Sequence, residues 1–278
     1  MRAILEVRFG PDKGRKATVP PGGRLRVGRT ERADLVFPGD RRMSGLHCEV
    51  TWDGRTCHVE DLGSHEGLLL SGRPAKGGDV EHGGWFRAGD TVVMVYHEEH
   101  TPPRLGADTA WTEAKSAALA AIEAEEAPLF AVLDAARTPR IRELLRESAE
   151  PYRSLFDGIQ AESLDPSAPH LVGLPRGTRL LPSLVREGWG HRWGVYLTHP
   201  GKLDEVRRHL RRFLRVENEE TRRPMYFRFY DPAVLRVFVP ACSVLERADF
   251  FRDTLAMMAE GEHGNLLRFT ASEEQEQE

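Results

Sequence analysis

Turn-forming residues recur about every ten positions through residues 1–96, a spacing that leaves room for short strands and for little else. Pro11-Asp12, Pro21-Gly22-Gly23, Asp53-Gly54, Gly77-Gly78 and Gly89-Asp90 interrupt runs at 3–9, 15–19, 25–28, 34–37, 47–52, 56–60, 67–70 and 91–96. The runs are rich in β-branched and aromatic residues and none has a helical period, so the segment predicts an all-β sandwich. Asp53-Gly54 is a two-residue hairpin signal between two of them.

The texture changes at Thr101-Pro102-Pro103-Arg104-Leu105-Gly106, a stiff polar break suited to a domain boundary. Residues 111–126 are Ala- and Glu-rich helix formers that Pro128 ends, the opening helix of a second domain. Beyond it, strand patterns at 129–133, 193–197, 225–230 and 266–270 alternate with helical ones at 139–148, 180–187, 203–216, 232–238 and 244–258. A chain of 278 residues is thus expected to be multi-domain: a β-sandwich over 1–100, a linker over 101–110, an α/β domain over 111–271 and a disordered acidic tail over 272–278.

Lys and Arg balance Asp and Glu both in residues 1–100 and in 101–272, so the net charge of −4 belongs to Glu273, Glu274, Glu276 and Glu278. Neither body carries the positive field that nucleic-acid binding requires, and no nucleic-acid partner is expected. Three cysteines without a Cys-x-x-Cys pattern support neither a disulfide framework nor a Cys-rich zinc site, which favours a reducing cytoplasm. No apolar run approaches the ~20 residues that span a bilayer, and charge arrives too early for a signal peptide, so no membrane insertion is expected. His97 and His100 lie three apart with no third ligand beside them, so no metal is expected there. The usual hydrolase, nucleotide-binding, kinase and zinc-protease motifs are missing, leaving catalysis and cofactors without support.

Three loops concentrate the polar residues of the first domain: Gly28-Arg29, Arg41 to His47, and Asp61 to Gly67. Gly-Arg, Ser-x-x-His and Asp-x-x-Ser in this order resemble the forkhead-associated (FHA) domain over about residues 1–97. The resemblance implies an eleven-stranded sandwich whose loops at one end bind a phosphothreonine peptide. Arg29 would grip the phosphate and Ser44 donate its hydroxyl, with Arg42, Ser64 and His65 completing the phosphopeptide surface. Gly28, His47, Asp61 and Gly67 would brace the loops; no acid–nucleophile pattern accompanies His47 to suggest catalysis. The sequence departs from the family at Gly45, where a basic or amide residue is common, and at Glu66, where the family has a peptide-holding Asn. A carboxylate there would repel a phosphate unless Arg41, Arg42 or His65 compensates.

Six segments of the second domain, running in order from Leu129-Phe130-Ala131-Val132-Leu133-Asp134 through Ser154-Leu155-Phe156-Asp157-Gly158 to Phe227-Arg228-Phe229-Tyr230-Asp231-Pro232, resemble the adaptor or chaperone family of type VI secretion effectors. That resemblance implies a bacterial, cytoplasmic, non-enzymatic protein that binds the N-terminal region of an effector and helps load it onto the spike tip protein. Within 203–216 an apolar stripe of Leu203, Val206, Leu210, Phe213 and Leu214 leaves Arg207, Arg208 and Arg211 on another face, either solvated or available to an acidic partner. Asp231 before Pro232 reads as a helix N-cap, and Arg228 as a partner of Asp134 or Asp157; the same Arg228, Tyr230 and Asp231 could instead line an effector groove. A phosphothreonine-dependent signalling scaffold is the alternative function, and a hydrolase with an unrecognised site the third.

Overall fold

Along residues 48–52, Cys48, Val50 and Trp52 are buried while Glu49 and Thr51 are half-buried, the alternation of a strand with one face on a core. The same logic builds the whole first unit of this computed structural model, which describes residues 1–104, 106–156, 167–217 and 223–272. Two units divide the chain: Met1–Pro102 with Arg146–Pro151, and Pro103–Leu145 with Tyr152–Glu278. The expected tail residues 273–278, Leu105 of the expected linker, and Asp157 lie outside the described residues.

The first unit holds β1 (Ala3–Phe9), β2 (Lys16–Val19), β3 (Gly23–Gly28), β4 (Leu35–Val36), β5 (Cys48–Trp52) and β6 (Cys57–Asp61). It continues with β7 (Leu68–Leu70), β8 (Arg73–Ala75), β9 (Gly77–Val80), β10 (Trp85–Ala88) and β11 (Thr91–His97). They form two sheets, ordered β2-β1-β11-β10-β7-β8 and β4-β3-β5-β6-β9, around a core that includes Leu5, Val27, Phe37, Trp52, Phe86 and Val95. The β5–β6 connection runs over residues 53–56, four residues between the paired Trp52 and Cys57 where two are expected, and the Asp53 carboxylate ties it by accepting the amides of Arg55 (2.7 Å) and Thr56 (2.6 Å). Strands β8, β9 and β10 escape the sequence pattern because each has only three or four residues, with Gly, Pro or Arg breaking the alternation.

Beside the end of β11 the absence of a third ligand near His97 and His100 is overturned. His82, in the turn between β9 and β10, brings a ring nitrogen within 4.8 Å of one from each of the others. Burial, with His100 second, pushes His82 down to about 4; burial and the two neighbouring rings do the same to His97, so both are neutral at pH 7.

The second unit carries β12 (Leu129–Asp134), β13 (Tyr152–Ser154), β14 (Pro169–Leu174), β15 (Gly194–Thr198), β16 (Arg215–Glu217), β17 (Pro224–Tyr226), β18 (Ala256–Glu260) and β19 (Leu266–Phe269). Its helices are α1 (Glu113–Glu123), α2 (Pro139–Arg146), α3 (Leu180–Gly188), α4 (Leu203–Arg211), α5 (Pro232–Ala241) and α6 (Val244–Phe251). Six strands form one sheet, β13-β14-β12-β15-β18-β19, in which every pairing is antiparallel. Alternation along β12 feeds two cores: Ala131 and Leu133 meet α1, α2 and α3 on one face, Phe130 and Val132 meet α4, α5 and α6 on the other. The unit is mixed α/β, a sheet with helices on both faces. No helix among the described residues is long and apolar enough to cross a membrane.

Three sequence expectations need correction. The helix expected over 203–216 ends at Arg211; tighter turns carry the chain through Phe213 and Leu214, and Arg215–Glu217 then pairs with Pro224–Tyr226. That strand, expected to reach Tyr230, stops at Tyr226. The helix expected over 244–258 stops at Phe251, and Ala256–Glu260 is a strand buried on both faces. Its Ala-Met-Met-Ala run has no alternation to expose, so helix and strand look alike in sequence. Strand β14 was hidden for the same reason, as five of its six residues are buried.

Candidate functional site

Three loops converge at one end of the sandwich. Where β3 ends, Gly28 passes so close to the next loop that a Cβ would lie 2.2 Å from the Gly45 carbonyl oxygen, so only glycine fits. The Arg29 amide donates to Ser44 O (2.9 Å), and the Thr30 amide and hydroxyl both reach Gly45 O, at 3.3 and 3.0 Å. The exposed Arg29 side chain is steadied by Nε donating to Met43 O (3.1 Å); its terminal nitrogens have no partner among the described residues.

His47 is fully buried and links two loops. Its Nδ1 accepts the Ser44 amide (3.2 Å), which puts the proton on Nε2 for donation to Gly67 O (2.9 Å). Gly67 holds φ +76°, a conformation that favours glycine. The Ser44 hydroxyl accepts the His65 amide (3.0 Å), so Ser44 and His65 share one rim. Asp61 accepts the Ser64 amide (2.9 Å) and Lys76 Nζ (3.1 Å). Burial alone would raise its carboxyl, but Ser64 and Lys76 together hold it below the usual carboxylate range.

Arg42 does not stand free. Its Nη2 donates to Glu66 Oε2 (2.7 Å) and its Nη1 lies 3.6 Å from Asp90. That pairing holds Glu66 below its ordinary range and answers the family departure at this position: the carboxylate is neutralised from within, at the cost of engaging one of the site's cations. The rim thus offers Arg29 and the exposed Arg41 for an incoming anion, with Arg42 shared.

In the second unit the residues singled out for a partner mostly turn inward. Arg207 donates to the carbonyls of Ser154 (2.7 Å) and Phe156 (3.1 Å), and Arg211 is half-buried; Arg208 alone of the three is exposed. Tyr230 and Asp231 are 6% and 4% exposed, which removes them from any groove. Burial, with Asp134 second, pushes Tyr230 up to about 12. Asp231 caps α5 by accepting the Ala233 amide (3.1 Å), and also takes Arg137 Nη2 (2.6 Å) and Arg192 Nε (2.9 Å). Arg228 pairs with Asp134, one of its two expected partners; the other, Asp157, is outside the described residues.

Comparison with known proteins places these features. Residues 6–99 match a family model described as the inner membrane component of T3SS, cytoplasmic domain. Residues 129–249 match one described as a domain of unknown function, DUF4123. The eleven strands in two sheets, with Arg29, Ser44 and His47 on adjoining loops, decide the first assignment. The chain joins an FHA-like domain to a DUF4123 domain. Among solved structures, the FHA domain of the CT664 protein from Chlamydia trachomatis is 23% identical, with a TM-score of 0.33, covering 34% of this chain and 97% of that one. An FHA domain of a hypothetical protein from Arabidopsis thaliana is 25% identical, with a TM-score of 0.33, covering 38% and 91%. Mycobacterium tuberculosis EmbR, solved with a low-affinity phosphopeptide, is 20% identical, with a TM-score of 0.32, covering 37% and 26%. Among curated proteins none matches the chain.

Within the FHA-like domain the sequence reading missed Asp40, which positions the Arg41-Arg42-Met43 turn. Its Oδ1 accepts the amides of Arg42 and Met43 (both 3.1 Å), and its Oδ2 accepts the Asp90 amide (2.9 Å) and the Thr91 hydroxyl (2.7 Å). Pro38-Gly39-Asp40 is a turn signal, and Asp is the residue that ties its own backbone in such turns. In the DUF4123 domain, Val237 on α5 and Val244 and Leu245 in the first turn of α6 are 72%, 85% and 82% exposed, apolar side chains turned to solvent where most of the charged candidates turn inward.

Proposed function

We propose that this chain is a non-catalytic, cytoplasmic bacterial adaptor with two binding ends. The DUF4123 domain, extending over 111–271, takes the N-terminal region of a type VI secretion effector and helps deliver it to the spike tip protein. The FHA-like domain docks the complex onto a phosphothreonine-containing protein. The match of residues 129–249 to the DUF4123 model carries the first half of this reading. The exposed Val237, Val244 and Leu245 supply the apolar contact surface that an adaptor needs. The second half is supported by the exposed guanidinium end of Arg29 and the Ser44 hydroxyl, carried on two loops joined by the Arg29 amide to Ser44 O bond, a fork and a donor suited to a phosphate dianion.

Co-purification from cells with the full chain tests both halves. Val244→Asp with Leu245→Asp is expected to release the effector while the phosphoprotein stays bound; Arg29→Ala is expected to do the reverse. An effector retained at full yield by the double variant removes Val244 and Leu245 from its binding, and Arg29→Ala releasing every partner favours the signalling scaffold.

Glu66→Gln probes the phosphate site more finely. Freeing Arg42 and deleting a carboxylate beside the ligand is expected to tighten a phosphothreonine peptide about fivefold, with no gain for its unphosphorylated twin. Isothermal titration reads the difference, and an equal change for both peptides overturns the phosphate reading.

A further inference from the structure

His82 lies in the turn between β9 and β10, His97 is the last residue of β11, and His100 follows three residues later. Ring centroids stand 5.4 Å apart for His82 and His97 and 5.3 Å for His97 and His100, while His82 stacks on His100 at 4.1 Å. Two imidazoles bound at about 2.1 Å to one tetrahedral ion hold their centroids roughly 5 Å apart. Two of the three separations therefore already suit a shared ion. The stacked pair must open by about an ångström, which exposed His100 allows.

Two further observations point the same way. The His97 side chain, 9% exposed, leaves its Nε2 without a hydrogen-bond partner among the described residues. A buried ring nitrogen in that condition costs stability unless something fills its lone pair or takes its proton. His82 Nδ1 accepts the His97 amide (3.0 Å), so its proton sits on Nε2, which lies 3.5 Å from the nearly buried carboxylate of Glu147 in the Arg146–Pro151 part of the same unit. Ligating histidines commonly hand their second nitrogen to a carboxylate in this way. Coordination through Nδ1 exchanges the amide contact for the ion.

We infer that His82, His97 and His100 form a binding site for a divalent transition metal of the zinc kind. Three imidazoles with no thiolate select against copper(I) and iron–sulfur clusters, and the lack of an oxygen-rich shell selects against calcium and magnesium. The fourth position is left to water or a carboxylate oxygen. The ion fastens the β9–β10 turn to the end of β11 and to the first residues after it, where the chain leaves the sandwich.

The test uses the full chain, made without a histidine tag and stripped with a chelator. Titration with Co2+ is expected to give visible bands of tetrahedral intensity that saturate at one equivalent, and Zn2+ should displace them. His100→Ala leaves the sandwich intact, because that side chain is exposed, and is expected to weaken Co2+ binding roughly tenfold or more. His97→Ala should do the same, whereas His263→Ala, exposed elsewhere, should leave binding unchanged. Absence of saturable binding overturns the site, and so does equal affinity in wild type and His100→Ala.

Discussion

Asp231→Ala is expected to destabilise the DUF4123 domain by about 3 kcal/mol, among the largest effects available to a single change in this chain. The Asp231 carboxylate is almost fully buried, caps α5 through the Ala233 amide and holds both Arg137 and Arg192. Losing the cap alone costs about 1 kcal/mol. Two guanidiniums then lose their counter-charge, although their partial exposure lets water recover some of that loss. Asp231→Asn keeps a capping oxygen and should cost about half as much. The folded carboxyl lies below its ordinary range because the two arginines and the amide outweigh the burial that pushes it up. Its stabilisation is therefore complete above the unfolded carboxylate pKa of about 3.9 and is lost as the pH falls through the lower folded value. Urea unfolding followed by hydrogen exchange on peptides from 129–249 reads both effects. Loss of less than about 0.5 kcal/mol in Asp231→Ala would show that the cluster is solvated rather than structural.

Asp40→Ala is the corresponding test in the FHA-like domain, with an expected cost of about 3–5 kcal/mol. One carboxylate there satisfies three amides and a hydroxyl from two distant segments, and it is 1% exposed. Truncation leaves buried donors with no replacement, since Gly89, at φ +62°, packs directly against both Asp40 and the Met43 amide. The Arg41-Arg42-Met43 turn should loosen together with the Asp90-Thr91 turn. Hydrogen exchange is expected to accelerate in both segments and, on the function proposed above, phosphopeptide affinity to fall although Asp40 is itself buried. Fast exchange confined to residues 41–43 would instead mean that the second anchor contributes little.

Asp40 also shows why the three loops at the end of the sandwich were only partly legible in the sequence. Arg29, Ser44, His47 and Asp61 stand out through the resemblance to the FHA pattern, on loops that turn residues mark. Asp40 matters through partners fifty residues away, which local pattern cannot supply. His82 is a similar case. The β10–β11 ladder ends at Trp85 opposite Met94, and the turn over 81–84, tied to Val95 by Gly83 and Gly84, brings the His82 ring to the His97 amide. Only a reader who had recognised the four-residue strand β10 could have placed that turn. In the DUF4123 domain the alternation of element types was visible, and so was the capping role of Asp231 before Pro232. The ends of α4 and α6 were not, because Arg211 to Leu214 and Ala256 to Glu260 carry residues equally content in either conformation. The exposure of Val244 and Leu245 was not legible either, since hydrophobicity alone does not tell which side of a helix is covered.

Strand β18 arrives late for the place it fills. It pairs with β15, which ends at Thr198, and only after α4, α5 and α6 have been made does the chain supply residues 256–260 to that partner. During synthesis, β15 therefore waits with an open row of backbone donors and acceptors while nearly sixty residues emerge, an invitation to pairing with another nascent chain. Gene truncations or stalled translation short of residue 256 should yield aggregates rather than a smaller working domain.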